Sequence, residues 1–227
     1  MDKPSPDFSR NVFINCPFDE QYQPLLRALL FTVIHSGLVP RIASERADSG
    51  EVRVRKIVEL LKESQFSVHD LSRADENPKS GPPRFNMPFE LGLDLGLRVA
   101  GKGKLARKQC LILQERPFRH QVVLSDLSGN DSRAHNSEPE ILIRQVRNWF
   151  VDLGHLQLPS ATSIWESYNE FNAAFDDEMK RLRFSDRDLC EMPISEFVYF
   201  VYLLDEPQDT PILSGGGTDV APDGGDG

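Results

Sequence analysis

The residues of this chain best placed for chemistry are carboxylates near the ends of predicted strands and helices. The segment 84–97, RFNMPFELGLDLGL, reads as a helix start. Asn86 suits a cap and Pro88 a first turn, while Phe89, Gly92, Leu93, Gly96 and Leu97 share a face that would pack. Glu90 and Asp94 lie off that face. The helix dipole stabilises a first-turn carboxylate as the anion, so Glu90 should be charged at neutral pH, suited to act as a nucleophile or to stabilise a cationic transition state. Glutamates also occupy first turns for stability alone, and spacing does not separate the two roles.

Asp70 closes a predicted strand, where a side chain either contacts a ligand or caps the following turn. His69, by strand alternation, faces the opposite way and reads as structural. Arg41, Arg53 and Lys56 are phosphate candidates, or solvated surface charges. Cys16, beside Pro17, has no evident activating base and reads as a small buried residue. GKGK at 101–104 lacks P-loop spacing, and no G-x-G-x-x-G follows the first strand. Cys16, Cys110 and Cys190 form no C-x-x-C pair, so neither a zinc knuckle nor a disulfide framework is expected, and no metal site is assigned.

The elements that must carry these groups alternate regularly. Strands are predicted at Asn11–Asn15, Val39–Ala43, Phe66–Asp70 and Gln109–Gln114, with His120–Leu124 as a fifth. Helical spacing falls at 19–36, at 51–63 (Val54, Ile57, Val58 and Leu61 on one face) and at 86–100. The order predicts an α/β fold, a doubly wound, flavodoxin-like parallel sheet of about five strands with right-handed crossovers. Ligands bind outside the C-terminal ends of such strands. That edge gathers Asn15–Tyr22, Arg41–Arg53 and His69–Glu90, with the loop 71–85 exposed and mobile and its part 73–85 as a lid.

The organisation reads as a polar leader over 1–10, an α/β domain over 11–136, a helical extension packed on it over 137–204, and a disordered acidic, Gly-rich tail over 205–227. Trp149, Phe150 and Trp165 in the extension suit core packing or, alternatively, a partner surface. The chain has 227 residues, a net charge of -9 and a pI near 5.1, which argues against a broad nucleic-acid surface. No signal-peptide pattern and no apolar run of about 18 residues is present, so a cytoplasmic protein without membrane partners is expected.

Taken together, NVFINCPFDEQY after residue 10, HDLS at 69–72 and FELG at 89–92 resemble the nucleoside 2-deoxyribosyltransferase-like group, akin to TIR domains, over about residues 11 to 115. The resemblance implies a base pocket under the Pro-containing loop, with Pro17 and Phe18 flanked by Asn15 and Tyr22. It further implies Asp70 as a nucleoside contact and Glu90 as the catalytic carboxylate.

The transferases carry a further acid shortly before that glutamate, where this chain has Arg84, Phe85, Asn86, Met87 and Pro88. One ionised carboxylate stabilises an oxocarbenium-like state, but a neutral purine leaves with the help of an acid. Nicotinamide, cationic while bound to ribose, leaves without one. The implied activity is therefore N-glycosidic cleavage of NAD or a related nucleotide in bacterial defence or signalling, with NAD as substrate and no cofactor. Arg41, Arg53 or Arg84 would hold the pyrophosphate, and Asp70 is the alternative proton source. Alternatives are a nucleoside 2-deoxyribosyltransferase and a non-catalytic nucleotide-binding sensor. The TIR likeness also implies a homo-oligomer.

Overall fold

The structure is a computed structural model that describes residues 7–74, 85–117, 129–154 and 157–205. Strands β1 (Asn11–Asn15), β2 (Val39–Arg41), β3 (Phe66–Asp70), β4 (Gln109–Gln114) and β5 (Arg133–Ala134) form one sheet in the order β2-β1-β3-β4-β5, parallel throughout. Helices α1 (Gln23–His35), α2 (Arg53–Lys62), α3 (Asn86–Ala100), α4 (Pro139–Asp152), α5 (Ala161–Leu182), α6 (Asp186–Cys190) and α7 (Ile194–Leu204) cover it. This is the doubly wound, flavodoxin-like order, whose switch point lies between β1 and β3.

Alternation along the buried strands divides the core. Val12, Ile14, Phe66, Val68, Leu111 and Leu113 join one large cluster with α1, α4, α5 and α7. Phe13 points the other way, onto Ile57, Leu60 and Leu61 of α2, with Leu93 and Leu97 half-buried beside them. A helix pressed between a sheet and further helices has no polar face to spare. Accordingly, every residue of α1 from Ala28 to His35 is buried. Gly37 ends it at φ 73°, which turns its own N–H onto the Ile34 carbonyl at 2.8 Å.

The helical extension shares this cluster. Trp149 and Phe150 pack edge-on against Phe66, and Trp165 lies half-buried against the same core. Aromatic burial of this extent makes the extension part of the sheet's own core. No helix among the described residues is long and apolar enough to cross a membrane.

Several expectations are corrected. The second strand stops at Arg41 because a 3-10 turn, Ala43–Glu45, follows. A 3-10 turn, Glu20–Tyr22, with Asp19 as its cap, precedes α1. On α2 the inward residues are Lys56, Ile57, Leu60 and Leu61, leaving Val54 exposed. The loop expected to be exposed begins inside the protein, since Leu71 and Ala74 are buried with Met87, Leu91 and Ile112. Its remainder, 75–84, lies outside the described residues, as do the proposed strand at 120–124 and the tail at 206–227. The described fifth strand is Arg133–Ala134, paired to Leu113 and Gln114.

Candidate functional site

The face that α3 turns to the sheet differs from the expected one, of which Leu93 and Leu97 alone pack, half-buried, against the core. Met87, Glu90, Leu91 and Asp94 are buried, whereas Phe89 is 53 % exposed and Gly92 and Gly96 face outward. The spacing 87, 90, 91, 94 is one helical stripe. It is half apolar and half acidic, and for Asp94 the strand β3 offers polar partners there.

Asp94 has the richer set. Lys108 Nζ lies 3.0 Å from Asp94 Oδ1, and His69 Nε2 lies 3.1 Å from Asp94 Oδ2. The Ser67 hydroxyl donates to the same carboxylate. Lys108, itself buried, also donates to the carbonyls of Leu61 at 2.7 Å and Ser64 at 2.6 Å. Burial alone would raise the Asp94 carboxyl, but His69, Lys108 and Ser67 outweigh it and bring it from 3.8 down to about 2.

Hydrogen-bond accounting fixes the His69 tautomer. Asn15 Nδ2 donates to the Met87 carbonyl at 2.9 Å and lies 3.0 Å from His69 Nδ1. A carbonyl only accepts, so the amide nitrogen is the atom that faces both groups, and Nδ1 accepts. The ring proton is then on Nε2, donated to Asp94. His69, Asp94 and Cys110 also have metal-ligand spacing, with their ligand atoms all within 4.8 Å of one another. Lys108 already pairs with the Asp94 carboxylate of this set, and burial pushes the Cys110 thiol up to about 12, so both groups disfavour a metal there.

Glu90 sits one turn before Asp94, only 4 % exposed. Its nearest described cation is Arg53 at the start of α2, with Nη2 at 3.8 Å from Oε1 and the arginine side chain 60 % exposed. Burial pushes the Glu90 carboxyl above its ordinary 4.5, with Arg53, His69 and a hydrogen bond from Asn86 offsetting part of the rise. The expectation of a first-turn anion held by the helix dipole is corrected. Glu90 is the fifth residue of α3, and desolvation dominates its environment.

Asp70 belongs to the opposite face. Tyr22 Oη donates to Asp70 Oδ2 at 2.5 Å, His135 Nε2 lies 3.0 Å from the same oxygen, and the Ser72 N–H donates to Oδ1 at 2.8 Å. Burial would raise this carboxyl, but His135, Ser72 and Tyr22 hold it below 3.8. Ser72, His135 and Asp70 have the composition of a hydrolase triad without its geometry. Ser72 Oγ and Asp70 both meet His135 Nε2, and His135 Nδ1 accepts from the Ser137 N–H at 3.0 Å, so no base faces the serine with an orienting acid behind it.

The remaining candidates separate clearly. Asn15 and Tyr22 are buried and bonded to protein partners, so they support the site and do not line it. Pro17 is buried and Phe18 partly exposed at the end of β1. Arg41 is engaged by Glu45 and Glu63 at 2.8 and 2.9 Å, and this pairing leaves Arg53 as the accessible guanidinium near Glu90 among the described residues. Arg84 lies outside them, and Asn86 bonds Glu90 without capping α3. Cys16 is buried, and desolvation with Asp70, Glu90 and Asp19 nearby raises its thiol well above the ordinary range.

Sequence reasoning missed Asp94 and Lys108. The signal was present: two acids at i and i+4 on a helix whose other face carries two glycines. Comparison with family models, with curated proteins and with solved structures found no match to the chain.

Proposed function

We propose that the chain is an N-glycosidase that cleaves NAD or a related nucleotide, with Glu90 as its catalytic carboxylate. The observation that carries the reading is a buried carboxyl at the β1–β3 switch point, raised by desolvation and faced, among the described residues, by the accessible Arg53. A desolvated carboxylate is a stronger nucleophile and a stronger electrostatic partner for an oxocarbenium than a solvated one.

In this reaction the bond from ribose C1′ to the pyridinium nitrogen breaks, and its electron pair stays on nitrogen. Nicotinamide departs neutral, without a proton. Glu90 meets the developing charge at C1′, water then adds there, and ADP-ribose and a proton are released. Arg53, beside Glu90, supplies a guanidinium for the pyrophosphate. The state of Asp70 supports NAD over base exchange. A carboxylate held ionised by three partners on the far face is a poor donor to a leaving purine.

The test is incubation of purified wild type and Glu90→Gln with NAD and, separately, with deoxynucleosides, with products resolved by chromatography. Nicotinamide release by wild type alone is the expected result. Base exchange among deoxynucleosides would make the chain a transferase, and nucleotide binding without turnover would make it a sensor. Either result overturns the reading.

A further inference from the structure

A buried network of charged groups costs more to assemble than an apolar seat of the same volume. Among the described residues this sheet is covered largely by apolar contact, with aromatic and aliphatic side chains under α1, α4, α5 and α7 and Ile57, Leu60 and Leu61 under α2, while one buried polar group on the other face joins Asp70 to Tyr22, His135 and Ser72. Beneath α3, Asn15, His69, Ser67, Asp94 and Lys108 form a second buried polar group, set beside the apolar contacts of Met87 and Leu91. A helix seated for stability alone would not need them.

Their placement brackets Glu90. Asn15 grips the Met87 carbonyl, and His69 grips Asp94. At 1.5 Å per residue these points are about 10 Å apart along the axis, and Glu90 lies between them on the same stripe. Asn15 and His69 are also opposite each other in the β1–β3 register, so both grips come from one level of the sheet and are joined by their own 3.0 Å hydrogen bond. Lys108, fixed by the Leu61 and Ser64 carbonyls, holds Asp94 from the far side. Helix rotation and translation are both fixed at the residue that needs them.

We propose that Asn15, His69 and Asp94 are positioning residues that seat the first two turns of α3 so that Glu90 is held against the reacting centre. The proposal rests on Glu90 being the catalytic carboxylate, and it extends that reading to three residues that touch no substrate. Displacing a catalytic group by about 1 Å costs on the order of 100-fold in rate.

The experiment uses the full chain. Asn15→Leu removes the grip on Met87 and leaves that carbonyl its own helical partner, while His69→Gln keeps a donor toward Asp94. Asn15→Leu is expected to lower kcat for NAD about 100-fold with KM within about threefold, and His69→Gln to stay within about 10-fold of wild type. A second readout needs no turnover. The Glu90 carboxyl is followed by carbon NMR across pH, its resonance assigned by its loss in Glu90→Gln. In Asn15→Leu its titration should fall toward the ordinary glutamate value as the side chain gains water. If wild type turns over neither NAD nor deoxynucleosides, the glycosidase reading fails and the titration alone decides the positioning role. A folded Asn15→Leu with wild-type kcat, or with Glu90 titrating unchanged or higher, overturns the proposal.

Discussion

Asp94→Asn keeps the shape of the side chain and removes its charge, so it isolates the electrostatic part of the α3 seat. The carboxyl's fall from 3.8 to about 2 is worth about 2.5 kcal/mol at 1.36 kcal/mol per pH unit. The substitution also strands the buried Lys108 ammonium on two carbonyls, and removing one partner of a buried pair costs about 3–5 kcal/mol. The larger range governs, which for a chain of this size corresponds to a melting temperature roughly 6–20 °C lower. Lys108→Met should cost a similar amount. The double variant, with neither charge left to strand, should be more stable than the two losses added together, giving a coupling of about 2–3 kcal/mol. Urea unfolding of all four proteins at pH 7 closes the cycle. The acid limb provides an independent check on sign. A depressed folded-state carboxyl contributes stability above pH 3.8 that is lost as pH falls toward 2, so the gap between wild type and Asp94→Asn should close over that window. Coupling below about 0.5 kcal/mol, or a gap that stays constant into acid, would refute the buried ion pair as the seat's foundation.

Glu90 carries the opposite sign. Burial raises its carboxyl above 4.5, so ionising it opposes folding, and Glu90→Gln should melt higher than wild type at pH 7.5, with the gain disappearing below pH 4.5. Lower or equal thermal stability at pH 7.5 would contradict the desolvated site. Tyr22→Phe removes the donor to Asp70 on the other face and should cost about 1.5–3 kcal/mol in urea unfolding, while NAD turnover stays within about threefold. A thiol-disulfide reagent should titrate one cysteine rapidly in the native chain, the exposed Cys190. Cys16 and Cys110, both pushed up by burial, should react only after denaturation.

How legible the fold was depended on which signal each element carried. NVFIN, FSVHD and QCLILQ are short, largely apolar runs set between segments of helical spacing, and their strands have the expected ends. Arg133–Ala134 is two residues long, too short for any alternation to register. The rotation of α3 was misread because hydrophobic periodicity cannot distinguish an outward acid from an inward acid with a buried partner. His69 was correctly assigned to the side opposite Asp70, since alternation is a property of the backbone. Arg41 sits at the expected edge, yet it is engaged by Glu45, four residues on in the next turn, and by Glu63, at a helix end that the tertiary fold brings to it.

The pairing of Lys108 with Asp94 also constrains how such a sequence drifts. A buried valine or leucine in the apolar layers changes size by one methylene at a cost of about 0.5–1.5 kcal/mol, so those positions wander singly. Position 94 cannot lose its charge while position 108 keeps its own, nor the reverse, without passing through a poorly folded ancestor. The two should change together, with His69 and Asn15 linked to them through the same bonds. Among descendants of this chain, the seat under Glu90 should therefore survive whole or be exchanged whole, while the exposed side of α3 is free to diverge.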